Sequence, residues 1–177
     1  GNATLIETGG TRLLLDCGFP ARELEKRLLP FGIAPDSLDG ILVTHEHQDH
    51  IRGVGVLARR YGLPVWLTHG TLRCQRLGRM PDTRIIHGHQ TSFTIGDLQV
   101  TADAVPHDAR EPVQFVFETA DARFGVLTDV GVITPHIERM LANCTALLLE
   151  CNHDREMLAN GPYPLSLQRR VGGSLGH

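Results

Sequence analysis

Three imidazoles and two carboxylates fall within six residues in the segment Thr44-His45-Glu46-His47-Gln48-Asp49-His50. Imidazole nitrogen and carboxylate oxygen are the donors that divalent zinc, manganese and iron accept. The segment follows the apolar run Gly40-Ile41-Leu42-Val43, so it leaves the end of a strand. In such a turn His45 and His47 point one way while Asp49 and His50 point to a neighbouring position, which predicts two metal sites side by side. The alternative for any single residue is a polar cap, with Gln48 or Asp49 as the N-cap before Ile51. His-x-His-x-Asp-His directly after a strand favours metal binding.

The elements that position this loop are legible on both sides of it. Thr4-Leu5-Ile6-Glu7 and Arg12-Leu13-Leu14-Leu15 read as strands around the Gly9-Gly10 turn. Residues 21–29 carry Leu24, Leu28 and Leu29 on one face, an amphipathic helix stopped near Pro30 and Gly32. Ile41-Leu42-Val43 reads as a strand buried on both faces. Ile51, Val54, Leu57, Ala58 and Tyr61 recur at helical spacing, so a helix is expected from just after His50 to Gly62. Residues 64–67 read as a strand and residues 71–77 as a second, basic helix. Hairpins are expected about Gly96-Asp97 and about Ala120-Asp121. Residues 135–141 read as a helix with Ile137 and Leu141 inward, and Ala146-Leu147-Leu148-Leu149 as a buried strand that delivers Glu150-Cys151-Asn152-His153-Asp154.

A chain of 177 residues, 41% of them hydrophobic, supports one domain over 1–177 with a sizeable core. Cys17, Cys74, Cys144 and Cys151 form no C-x-x-C pair and match no zinc pattern. With no apolar stretch of membrane-spanning length, the composition reads as a reduced, cytoplasmic protein without a membrane partner. The net charge of −3 is no nucleic-acid footprint by itself, but residues 51–80 hold six arginines and no Asp or Glu. Arginine's planar fork suits phosphate; solvated helix faces would also account for it. His87-Gly88-His89 repeats the His-x-His spacing but follows an edge strand, and it is read as solvated.

The motif and its surroundings resemble a known family. His45-x-His47-x-Asp49-His50 is the signature of metallo-β-lactamase-fold hydrolases. Gly1-Asn2-Ala3-Thr4, Leu13-Leu14-Leu15-Asp16-Cys17-Gly18, Pro106-His107-Asp108, Thr128-Asp129, Glu150-Cys151-Asn152-His153-Asp154 and Gly161-Pro162-Tyr163-Pro164 are similar to the YycJ/WalJ-type branch, over nearly the whole chain. The resemblance implies an α/β fold, a four-layer αββα sandwich, here expected to be incomplete at both termini. It implies His107 as the third histidine of a first metal with His45 and His47. Asp49, His50, Asp129 and His177 would hold the second, Asp129 being the bridging carboxylate that offsets repulsion between the ions. Asp16 would buttress the loop, although a turn-forming Asp before Gly18 fits the local sequence as well. His153 could contact substrate or assist a leaving group, and Asn152 or Asp154 could instead cap a helix.

The expected chemistry follows from the ions. Two divalent cations, zinc first and manganese second, lower the pKa of a bridging water and clamp phosphate oxygens. Asp49 would orient the nucleophile, and the substrate would be nucleic acid, cleaved as by an exonuclease. Two other readings stay open: a thioester or lactone hydrolase with the same ligands, and a non-catalytic, metal-stabilised regulatory module.

Overall fold

The computed structural model describes residues 1–89, 91–151 and 154–176. His153 and His177 therefore lie outside the described residues. Two five-stranded sheets carry the fold. In the first, β1 (Thr4–Thr8) pairs antiparallel with β2 (Thr11–Leu15), which continues in parallel through β3 (Gly40–Leu42), β4 (Pro64–Thr68) and β5 (Asp82–Ile86). In the second, β6 (Thr91–Ile95), β7 (Leu98–Ala104), β8 (Val113–Glu118) and β9 (Arg123–Leu127) are antiparallel neighbours, and β10 (Ala146–Leu149) adds in parallel to β9.

Alternation along the strands builds the layers. Leu13, Leu15, Leu42 and Trp66 face the second sheet and meet Val100, Ala102, Phe115, Phe117 and Val126. Their neighbours Leu14, Ile41, Val43, Val65 and Leu67 face outward against α1 (Ala21–Leu28) and α3 (Val54–Tyr61), through Leu24, Leu28, Val54, Leu57 and Ala58. On the far side Ile137 of α5 (Pro135–Leu141) packs on Val105 and Leu127. Helix, sheet, sheet, helix is the order of an αββα sandwich. Each fully buried side chain of this kind contributes about 1.5–3 kcal/mol.

Five expectations change, the first being that Leu29, expected on the apolar face with Leu24 and Leu28, lies beyond α1 and is 71% exposed. The strand at Ala146–Leu149 forms, but every residue in it is exposed, Leu147 by 50% and Leu149 by 49%. Among the described residues it is an edge strand with β9 as its single hydrogen-bonded neighbour. The helix expected after His50 starts earlier, as α2 (Gln48–Ile51), and α3 follows after Arg52 and Gly53. The N-cap of α2 is His47, not Gln48 or Asp49, and no side chain caps it. The basic helix at 71–77 is instead α4 (His69–Leu72) and a separate 3-10 turn at Gln75–Leu77, because the Thr68 hydroxyl accepts from Thr71 N and starts the helix early. Beyond these, α6 (Arg155–Asn160) is capped by Asp154, whose side chain accepts from Met157 N, and α7 (Leu165–Val171) follows. Among the described residues no helix is long and apolar enough to cross a membrane, and the four cysteines are free.

Candidate metal centre

The site residues leave the ends of strands that point to one edge of the two sheets. Asp16 follows β2, His45 follows β3, His107 follows β7 and Asp129 follows β9. Backbone hydrogen bonds fasten the motif to the end of β2: Cys17 N donates to His50 O at 2.7 Å, Asn2 N to Asp49 O at 2.7 Å and Gly53 N to Cys17 O at 2.8 Å. The approach is close enough that a Cβ on Gly18 would lie 1.5 Å from Asp49 O, so only glycine fits there. Gly131 N donates to Pro106 O at 2.8 Å and joins the His107 and Asp129 loops.

His45 Nε2 lies 3.0 Å from His47 Nδ1, which lies 3.1 Å from His107 Nε2. Beside them His50 Nε2 is 2.7 Å from Asp129 Oδ2. The donor atoms of His45, His47 and His107 fall within 4.8 Å of one another, as do those of His45, His50 and Asp129, so the two groups share a wall. Asp49 sits at the mouth: its side chain is 60% exposed, and Oδ2 is 3.5 Å from His50 Nε2. It does not join either tight group. His87 and His89 are exposed and belong to neither.

The hydrogen bonds outside the cluster decide which way the lone pairs face. His107 Nδ1 lies 3.0 Å from Gly176 O, a group that only accepts, so Nδ1 carries the proton and Nε2 presents its lone pair inward. Thr44 Oγ1 donates to Asp16 Oδ2 at 2.9 Å and accepts from His45 Nδ1 at 3.0 Å, which turns His45 Nε2 inward as well. His47 Nε2 lies 3.7 Å from Asp108 Oδ1, leaving Nδ1 toward the other two rings. Three imidazole lone pairs gathered within 4.8 Å of one another repel unless a cation lies among them, and imidazole is a common ligand of divalent ions. This donor set fits a metal.

Asp16 accepts from Thr44 N at 2.9 Å and from the His50 Nδ1 proton at 2.8 Å while 3% exposed, and thereby fixes the His50 ring. Burial, then the neighbouring His50 and His107, push His45 down to about 2. His47 is lowered by burial and then by His107. For His50 burial opposes the charged ring, but hydrogen bonds to Asp129 and Asp16 outweigh it and push the group up to about 10. Without metal, His50 is an imidazolium held between two carboxylates. Asp16 has φ 60° and Asp129 φ 38°, a left-handed backbone that is uncommon outside glycine.

Several residues at the site carry no local signal in the sequence. Thr44 relays between Asp16 and two rings. The Asn2 amide nitrogen lies 2.8 Å from His50 Nε2. Gln114 Nε2 donates to Thr128 O at 2.7 Å and braces the loop before Asp129. Asp108 and Arg170 line the cleft with His47, Asp49, His107 and Asp129. The cleft measures about 220 Å³, below the roughly 300–1,000 Å³ of pockets that enclose a drug-sized ligand.

Three of the six arginines of residues 51–80 are engaged by neighbours. Arg59 donates to Leu77 O and Arg79 O, Arg60 pairs with Glu25, and Arg76 donates to Gln48 Oε1 at 3.2 Å beside the motif.

Comparison with known proteins bears on this geometry. A sequence profile described as the β-lactamase superfamily domain matches residues 11–172. The chain is 36% identical over 180 residues to exodeoxyribonuclease YycJ of Bacillus anthracis, covering all of this chain and 68% of that protein. It is also 36% identical over 182 residues to exodeoxyribonuclease WalJ of Streptococcus pneumoniae, again with all of this chain and 68% of the relative. The crystal structure of the metallo-β-lactamase-fold protein YhfI of Bacillus subtilis superposes with a TM-score of 0.71 at 21% identity, over 86% of this chain and 64% of that one.

Proposed function

This chain belongs to the β-lactamase superfamily, in the branch of the YycJ and WalJ proteins, and from that premise we propose that it is a hydrolase with a dinuclear metal centre that cleaves the phosphodiester bonds of nucleic acid from an end. The observation that carries the reading is the convergence of the His45, His47 and His107 lone pairs beside the His50–Asp129 pair. The nucleic-acid assignment is supported by the exodeoxyribonucleases to which the chain is similar over its full length.

In this reading His45, His47 and His107 hold one ion, and Asp49, His50 and Asp129 hold the second, with His177 as its remaining ligand. Zinc is the first choice for the imidazole-rich site and manganese the second. When bound, the two ions supply a water that loses its proton near neutral pH and positive charge opposite the phosphate oxygens. Asp16 and Thr44 keep the ring protons of His50 and His45 on Nδ1, so that Nε2 of each stays available. Asp49, exposed at the mouth, accepts a hydrogen bond from the attacking water and orients it toward phosphorus. His153 remains a candidate for meeting the leaving group. We further propose that the protein acts as a single domain in the cytoplasm, where its free thiols persist.

The test is cleavage of a 5′-phosphorylated DNA duplex and a matched RNA with Zn²⁺ or Mn²⁺, against His47→Ala and Asp49→Ala. Wild type is expected to cut DNA and both variants to lose at least about a hundredfold in rate. Failure to cut either polymer by a protein that holds two ions would overturn the nuclease reading and turn attention to thioesters and lactones.

A further inference from the structure

Arg170, in the last turn of α7, is the one cation that lines the cleft among the described residues; the other charged groups there are Asp49, Asp108 and Asp129. Its Nε donates to Asp108 Oδ2. The other oxygen of that carboxylate lies 3.5 Å from His107 Nε2 and 3.7 Å from His47 Nε2. Asp108 thus divides its two oxygens between the histidine cluster and the guanidinium, and fixes where the guanidinium stands relative to the rings. A guanidinium has five N–H donors in a planar fork. With Nε engaged, the four N–H of the terminal nitrogens remain for an anion.

A purely structural reading of the pair is weak. The Arg170 side chain is 57% exposed, and an exposed ion pair contributes about 0–1 kcal/mol. What the contact supplies is aim, because an arginine on a short helix loses rotational freedom when its Nε is held by a carboxylate.

We propose that Arg170, held by Asp108, is the substrate-binding residue that grips the non-bridging oxygens of a phosphate group entering the cleft. The proposal rests on the phosphodiesterase reading and adds to it a named specificity determinant. The phosphate could be a terminal monoester or an internal diester, and the two are separable by probe.

Calorimetric titration of the zinc-loaded protein serves as the test, with three ligands: thymidine 5′-monophosphate, a thymidine dinucleotide whose bridging ester oxygen is replaced by an uncleavable methylene, and thymidine as the uncharged control. Arg170→Gln is expected to weaken one or both anionic ligands about tenfold or more, the loss of a charge-assisted bidentate contact. Arg170→Lys is expected to recover part of the affinity, and Arg60→Gln none of the effect. Zinc content and melting temperature should not move, which separates a grip on substrate from a role in folding. Loss confined to the monophosphate identifies a terminal-phosphate pocket; loss confined to the dinucleotide identifies the scissile diester. Equal affinity in wild type and Arg170→Gln, or no binding by wild type, overturns the proposal. Tight binding lost in Arg170→Gln by a protein that cleaves no nucleic acid would sink the nuclease reading and spare the grip.

Discussion

Asp16 gathers the Thr44 amide, the Thr44 hydroxyl and the His50 ring onto one buried carboxylate. Asp129 approaches His50 from the other side at 2.7 Å. In the metal-free protein this arrangement ties charge to stability. His50 is raised from 6.5 to about 10, so the folded state holds its proton more tightly than the unfolded chain does. The stabilisation is fully present below 6.5 and is lost as pH rises through about 10. Urea unfolding of chelator-treated protein should therefore show a falling midpoint across that window, and His50→Gln should flatten the slope. A midpoint that rises with pH in wild type would contradict the imidazolium assignment.

At the scale of elements, the motif loop and the hairpins were readable because their signals are local. Gly9-Gly10 and Gly96-Asp97 turn as expected, and His45, His107 and Asp129 leave strand ends at the expected positions. The ion-pairing around them was not readable. Arg170 meets Asp108 across 62 residues of sequence, and a short helix between prolines and glycines shows no pattern that announces it. An unbroken apolar run reads the same whether its two faces are covered or open, and β10 is therefore expected in the interior although both of its faces are exposed. The distinction is measurable. Leu42→Ala on β3, at 0% exposure, should cost about 2–5 kcal/mol in urea unfolding. Leu148→Ala on β10, at 40% exposure, should cost under about 1 kcal/mol. Comparable losses would mean that β10 is covered in solution.

For the molecule as a whole, the site sits where loops from both sheets meet, so ions bound there cross-link the two halves of the sandwich. Binding that favours the folded chain stabilises it by mass action. With ion at about a hundred times its dissociation constant, chelation should lower the melting temperature by about 5–10 °C; an unchanged melting curve would count against metals that bridge the sheets. The left-handed backbone at Asp16 and Asp129 sets a limit on improving this protein. Glycine or asparagine would relax the local chain at those two positions, yet either would remove a carboxylate partner of the buried His50 ring and leave that ring unsupported on one side. Backbone ease and the buried charge network pull in opposite directions at the same two codons, so thermostable variants are better sought on the helices than at this edge.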